Sequence, residues 1–325
     1  MKPLRDTAKR LKSRLPMVVV ALVWIALSPS PYGAGDAQEP SKPKGVLALH
    51  WGGVDNQVNA TFDKSIQAAL ASAPAGSIEY YAEYLDRGRF VEERLRDYLR
   101  QKYGDHRIDV IITLAKPTLN FLLKYRSDLF PNTPIVFHAG SRADLIKRDE
   151  ANGVPVMVDR PYRNTVDLAL KLYPGTNQVL LIAGLPGHEK GLEAEVREEL
   201  KEFQGRVDIK PLSDLTLDEL IATVKNAPEN SIILYVRYSL EELGKALDPY
   251  NSLTLIAQTA RVPVYTAFES ILGRGSVGGH TAPLADCGRM AGETAMRIVN
   301  GANPHDIPTV LVPTVPIFDW RQLRR

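Results

Sequence analysis

From residue 45 to residue 268 the sequence alternates short apolar runs with longer amphipathic ones, and it does so in two rounds. "GVLALHW" (45–51), "SIEYYAEYL" (77–85), "IDVIITLA" (108–115) and "TPIVFHAG" (133–140) have the length and apolar content of strands. The stretches between them, 56–73, 89–104 and 116–130, carry helical spacing; Gly104 stops the second and Pro117 sits in the first turn of the third. After a polar, irregular region at 144–153, "VPVMVD" (154–159) is a further strand and the alternation restarts. The second round predicts helices at 162–175, 187–205, 216–228 (opened by Asp214 or Thr216) and 249–261, and strands at 177–184, 206–212, 230–238 and 262–268. Apolar strands with a helix after each demand a parallel sheet covered on both faces, because parallel neighbours need a crossover and a helix is what fills it. Two rounds predict two such α/β halves, with a break near residue 155.

The first 37 residues stand apart. Lys2, Arg5, Lys9, Arg10, Lys12 and Arg14 precede an apolar run of 13 residues, Leu15 to Leu27, which is too short to span a bilayer comfortably. Small residues at Gly35 and Ala37 then fit cleavage before Gln38. This is the pattern of a secretory signal peptide, with an uncleaved anchor as the alternative. Its removal leaves 34 basic against 36 acidic side chains, so the mature chain carries about −2 and has no nucleic-acid footprint. The one cysteine, Cys287, is far from the cleavage site, which excludes a lipid-anchored form and any intrachain disulfide. After residue 27 no apolar run approaches 18 residues. The expected location is the bacterial periplasm.

Gly273, Gly275 and Gly278 in "ILGRGSVGGH" spell G-x-G-x-x-G, the spacing of a dinucleotide-binding loop. That loop needs a helix after its second glycine, to face the pyrophosphate. Here Gly278 leads into another extended stretch, "SVGGHTA" (276–282), and Pro283 separates that stretch from the body of the helix at 283–301. The glycines therefore predict a tight backbone turn, not a cofactor site, and no cofactor is expected. "IPTVLVPTVPIFDW" (307–320) is extended and proline-punctuated, which suits an edge strand.

"FESILGRGSVGGHTAPLADCGRMAGETAMRIVNGANPHDIPTV" resembles the C-terminal part of type I periplasmic binding proteins, specifically the substrate-binding family of ABC transporters that also supplies sensor domains to bacterial kinases. By alternation the resemblance covers most of residues 45–320; by motif it covers this segment. "FDWRQLRR" at the end resembles the segment before a transmembrane helix in the related sensor kinases, and the expectation is a chain without that helix. The resemblance implies two doubly wound parallel-sheet lobes joined by a three-segment hinge. The crossings map near Val156–Pro161, Gly279–Pro283 and Pro304–Thr309. Lobe I takes 45–155 plus 282–304, and lobe II takes 156–281 plus 305–325. Glycines near a crossing absorb the φ/ψ change of lobe closure.

Ligands in open α/β sheets bind beyond the carboxyl ends of the strands. Two lobes facing each other bring those ends to one cleft. In lobe I they are Trp51 and Gly52 (with His50 and Gly53), Thr113 and Leu114 (with Ala115), and His138 (with Ala139 and Gly140). In lobe II they are Tyr162, the stretch Gly184 to His188, Tyr235 and Arg237, and Phe268 and Glu269. Each has a structural alternative: packing for Trp51, helix capping for Thr113, a satisfied buried histidine for His138, and an ion pair with Arg274 for Glu269. Asp86 and Arg89 suit either the cleft rim or a surface ion pair. Aromatic rings with Arg, His and Glu suit a small polar ligand with an apolar body, such as an amino acid or an aromatic carboxylate, the arginine holding a carboxylate by paired hydrogen bonds. Helix N-termini after the first and third strands add partial positive charge.

No G-x-S-x-G elbow is present, Cys287 has no basic neighbour in sequence, and the six histidines show no H-x-x-x-H or H-E-x-x-H spacing. An enzyme or a metal site is therefore not expected. The expected function is capture of a small molecule by hinge closure and delivery to an ABC permease, with a monomer as the expected state. The alternative is a ligand-sensing subunit for a membrane partner such as a histidine kinase.

Overall fold

A computed structural model describes residues 42–53, 56–85, 91–184, 190–212, 215–238, 240–242 and 245–324. The expected signal segment, Asp86, Arg89, the stretch 185–188 and Asp214 lie outside the described residues. The first round of alternation gives β1 (Lys44–Trp51), α1 (Gln57–Leu70), β2 (Ile78–Leu85), α2 (Glu92–Tyr103), β3 (Val110–Thr113), α3 (Lys116–Lys124), α4 (Arg126–Leu129), β4 (Ile135–Ala139) and β5 (Val154–Val158). The second gives α5 (Tyr162–Leu172), β6 (Gln178–Ala183), α6 (Lys190–Glu199), β7 (Asp208–Pro211), α7 (Leu217–Lys225) and β8 (Ser231–Arg237). An antiparallel ribbon follows, β9 (Leu240–Glu242) and β10 (Lys245–Leu247), which the sequence pattern did not foretell. Then come α8 (Pro249–Thr259), β11 (Val264–Tyr265), β12 (Gly278–Thr281), α9 (Leu284–Val299), β13 (Val310–Val312) and β14 (Val315–Phe318).

The strands form two six-stranded sheets, one ordered β13-β5-β4-β3-β1-β2 and the other β14-β12-β11-β8-β6-β7. Every pair in the first is parallel, and in the second only β14 runs antiparallel, against β12. Strand periodicity explains the unbroken apolar runs. Val46 and Ala48 of β1 face one core with α1 and α9, while Leu47 and Leu49 face the opposite core with α2 and α3. In the second sheet Val179 and Leu181 of β6 face one core, and Leu180 and Ile182 the other. This is the α/β architecture of two doubly wound lobes.

The chain passes between the lobes three times. The first passage is Asp159–Arg160–Pro161, between β5 and α5. The second is Ala282–Pro283, between β12 and α9, which returns to lobe I and lies so close to α1 that a Cβ on Gly288 would come within 2.9 Å of the Phe62 carbonyl oxygen. The third is Pro313–Thr314, between β13 and β14. Two expected boundaries therefore move. β5 stays in the first sheet through Val158, so lobe I does not end at residue 155. Residues 305–312 also belong to lobe I, and the third crossing is not at Pro304–Thr309. The Arg148 guanidinium donates to the carbonyl oxygens of Pro304, His305 and Ile307 at 3.0, 2.9 and 2.5 Å. Ile307 is buried in the lobe I core, and β13 then pairs with β5. Prolines that looked like a crossing are instead tied down on one lobe.

Gly273, Gly275 and Gly278 have φ of +82°, +105° and +137°. A Cβ on Gly278 would stand 2.1 Å from the Ile317 carbonyl oxygen, where β14 packs on β12. The helix that a pyrophosphate would need begins only at Leu284. The motif makes a turn and a close strand approach.

Candidate ligand-binding cleft

Two connected cavities lie between the lobes. The inner one, about 170 Å³, is lined by Leu114 and His138 from lobe I, Val158 to Arg160 from the first crossing, Ala267 to Ser270 from lobe II, and Ala282, Leu284 and Cys287 around the second crossing, with Phe62 of α1. The outer one, about 240 Å³, shares Phe62, Leu114, Ser270 and Leu284 and adds His50, Trp51, Asn56, Asn59 and Tyr250.

The lobe I side is positioned by the β1–α1 turn. Asn56 caps α1, its Oδ1 accepting from Val58 N at 2.9 Å. Asn59 Nδ2 donates to the carbonyl oxygens of Trp51 (2.8 Å) and Gly53 (3.2 Å), which fixes the backbone that carries the Trp51 ring. Gly52 holds φ +85° there and donates its N–H to the Leu85 carbonyl at 3.1 Å. His50 is buried, stacks on Tyr84 at 4.9 Å between ring centroids, and has Nε2 3.5 Å from Asp63 Oδ1. Burial pushes its pKa down against the pull of Asp63.

Arg160 is the cation of the inner cavity. Its guanidinium lies 5.6 Å over the Phe268 ring, and among the described residues no carboxylate lies within ion-pair distance of it. Gly140 leaves it room, since a Cβ there would come within 3.0 Å of Arg160 Nη2. His138 stands beside it. Burial first, and the Arg160 charge second, push the His138 pKa down to about 4, so the imidazole is neutral near pH 7. Glu269 faces the same cavity, but its Oε2 already accepts the first N–H of α9, Leu284 N, at 2.5 Å. A lobe II carboxylate thereby caps a lobe I helix whose own N-cap, Pro283, offers no side chain. Burial pushes the Cys287 thiol up to about 12, so it is an inert wall residue.

Of the residues singled out from sequence, the cleft brings together Trp51, Leu114, His138, Phe268 and Glu269, with Gly52 in the supporting turn. The other four do not line it. Thr113 is fully buried and its hydroxyl meets Thr118 Oγ1 at the start of α3. Tyr162 is fully buried behind Phe268, with ring centroids 6.3 Å apart. Tyr235 is fully buried, its hydroxyl donating to the Pro249 carbonyl at 2.7 Å. Arg237 is exposed at the end of β8, past a register shift in which Ile182 pairs with Tyr235 and Ala183 with Arg237, so that Val236 is the extra residue. Sequence reasoning missed Phe62, Asp159, Arg160, Tyr250 and Ser270. Arg160 was within reach, because it lies in a segment already assigned to the hinge. Phe62 and Tyr250 sit on helices, where a strand-end rule does not look.

A family model described as ABC transporter substrate binding protein matches residues 93–318. The chain belongs to the ABC transporter substrate-binding protein family. That family is a solute-binding kind of protein. The matched stretch holds His138, Arg160 and Phe268 to Ser270, whereas Trp51 and Phe62 precede it. Among solved structures, the ligand-free, open form of a substrate binding protein with adhesive properties from Clostridium difficile is 13% identical, with a TM-score of 0.64 over 87% of this chain and 94% of that one. An ABC domain in complex with L-Trp from Streptococcus pneumonia is 13% identical, with a TM-score of 0.56 over 87% and 94%. A periplasmic solute binding protein from Actinobacillus succinogenes with bound D-allose is 16% identical, with a TM-score of 0.54 over 87% and 99%. At these identities the likeness establishes the fold. No curated protein matches the chain.

Proposed function

We propose that this substrate-binding protein captures a small anionic molecule with an apolar or aromatic body in the interlobe cleft and delivers it, by hinge closure, to an ABC permease outside the cytoplasmic membrane. The observation that carries the reading is Arg160: a guanidinium in a largely apolar cavity, beside a neutral His138, with no carboxylate among the described residues at ion-pair distance. A ligand carboxylate supplies what is missing, as two parallel hydrogen bonds in a site of low dielectric. Phe62, Phe268, Trp51 and Tyr250 provide ring faces for the body of the ligand. The likeness to proteins holding L-Trp and D-allose supports the size class and leaves the choice to the side chains. Because the cleft is formed by both lobes, ligand contacts favour the closed arrangement, and closure follows as a population shift.

The test is native mass spectrometry of the purified protein, followed by a thermal-shift screen of amino acids, aromatic acids and neutral sugars. A ligand at about 100 times its Kd stabilises by roughly 2.7 kcal/mol, enough to raise Tm by a few degrees. A carboxylate hit supports the reading. Hits confined to neutral sugars overturn the role given to Arg160.

A further inference from the structure

A third cavity, about 660 Å³, lies at the hinge itself. The first crossing lines it with Asp159 and Arg160, α6 of lobe II with Glu195 and Glu199, and the third crossing with Thr314. Three carboxylates from a hinge segment and from one lobe thus face a single space. Glu199 is the half-buried one, while Asp159 and Glu195 are exposed.

We propose that lobe movement in this protein is coupled to proton uptake at the hinge, through Glu199 of α6 facing Asp159 of the first crossing. The proposal rests on the hinge-closing reading above. Asp159 lies in a segment whose torsions change when the lobes rotate, while Glu199 moves as part of lobe II. Rotation therefore changes the separation of the two carboxylates and with it their repulsion. The remaining charged groups do not cancel that repulsion. Glu195 adds to it. The Arg163 guanidinium at the start of α5 is engaged by Glu202, and Arg160 lies over Phe268. Gly140, Ser141, Leu311, Val312 and Thr314 carry no charge.

Glu199 already shows the consequence. Burial and then the Asp159 charge raise its pKa to about 7, against the weaker pull of the Tyr162 and Arg163 N–H groups at the start of α5. The sign follows. A carboxyl whose pKa is raised in one arrangement binds its proton more tightly there, so acid favours the arrangement described here. As pH rises through about 7 Glu199 ionises, and the equilibrium moves toward arrangements that part it from Asp159. If parting restores an ordinary carboxylate pKa, the equilibrium constant between arrangements changes by up to roughly tenfold between pH 6 and pH 8.

The experiment is a spin-label distance measurement on the full chain without ligand. Lys64→Cys on α1 and Lys225→Cys on α7 place one exposed label on each lobe, and buried Cys287 escapes labelling. The expected result is a distance distribution that shifts with a midpoint near pH 7 and stops shifting in Glu199→Gln. Asp159→Asn, should Glu199→Gln fail to fold, lowers the midpoint. Two populations that ignore pH, or a shift that persists in Glu199→Gln, overturn the proposal and leave the hinge reading intact. A single distance at every pH overturns both.

Discussion

The cleft wall contributed by lobe I is made of strand ends: Trp51 closes β1, Leu114 follows β3, and His138 lies in β4. The wall contributed by lobe II owes nothing to the end of β8, its longest strand. There the Tyr235 hydroxyl accepts from Tyr238 N at 3.2 Å and donates to the Pro249 carbonyl, and Ser252 Oγ donates to the Tyr238 carbonyl at 2.7 Å. The end of β8 is knitted to the start of α8, and the lobe presents Tyr250 and the segment 267–270 instead. Equivalent architecture has left one strand end open to ligand and used the other as a structural joint. Which role a strand end takes depends on whether its polar groups are already satisfied by the next element.

The largest effect that sharpens this contrast lies in the frame of lobe II. Gly278 combines φ +137° with a carbonyl oxygen 2.1 Å from where a Cβ would be. Gly278→Ala must part β12 from β14, and a loss of about 3 kcal/mol or more is expected by urea unfolding, or failure to fold. A loss under about 1 kcal/mol would mean that the β12–β14 edge is pliant and not a fixed support for the segment 267–270.

Lobe I answers with a titration. His138 keeps a pKa of about 4 in the fold, below the ordinary 6.5, so the unfolded chain takes up a proton that the folded one resists. Its contribution to stability is complete above pH 6.5 and is lost as pH falls toward 4, by about 2–3 kcal/mol at pH 4.5. Glu199 acts with the opposite sign, gaining stability as pH falls through about 7. The difference between wild type and His138→Gln isolates the histidine: urea titrations at pH 7 and pH 4.5 are expected to show a smaller acid loss in the variant. Equal losses would mean that the imidazole is hydrated and the inner cavity wet.

The two arginines test the contrast most directly. Arg160→Ala is expected to weaken binding of the ligand found by screening ten- to a hundredfold, about 1.4–2.7 kcal/mol, with unchanged unfolding. Arg237→Ala, at the closed strand end, is expected to leave affinity unchanged. Isothermal titration reads both, and the reverse outcome would return the anion to the end of β8.

The fold was legible because its cause is local and repeated: β1, β3, β4, β6 and β8 must each feed two cores, so the interior of each is a run of consecutive apolar residues. The third crossing was not legible. Prolines at 304, 308 and 313 look alike in sequence, and what separates them is the Arg148 side chain, 156 to 159 residues away, gripping three carbonyls. Half of the cleft was legible for a similar reason. The strand-end rule points to Trp51, Leu114, His138, Phe268 and Glu269, all of which line the cleft. It points to Tyr235 and Arg237 without knowing that α8 closes over them. Arg160 lies in a segment the sequence already assigns to the hinge, but its sequence position does not show that its guanidinium rests over Phe268 without a carboxylate, among the described residues, at ion-pair distance.

The smallest effects compare two hydroxyls that the rule placed in the cleft and the fold turned inward. Thr113 Oγ1 meets Thr118 Oγ1 at the start of α3, and Thr118 Oγ1 donates to the Ala115 carbonyl at 2.7 Å. Tyr235 serves the β8–α8 joint. Thr113→Val and Tyr235→Phe each remove one buried hydrogen-bonding group at nearly constant shape, and each is expected to cost about 1–2 kcal/mol in urea unfolding. Tyr235→Phe belongs at the upper end, because it leaves both Tyr238 N and the Pro249 carbonyl short of a partner. Neither is expected to change ligand affinity by more than twofold. A tenfold loss of affinity in Tyr235→Phe, with stability intact, would show that the β8–α8 joint opens when ligand binds and that the end of β8 reaches the ligand after all.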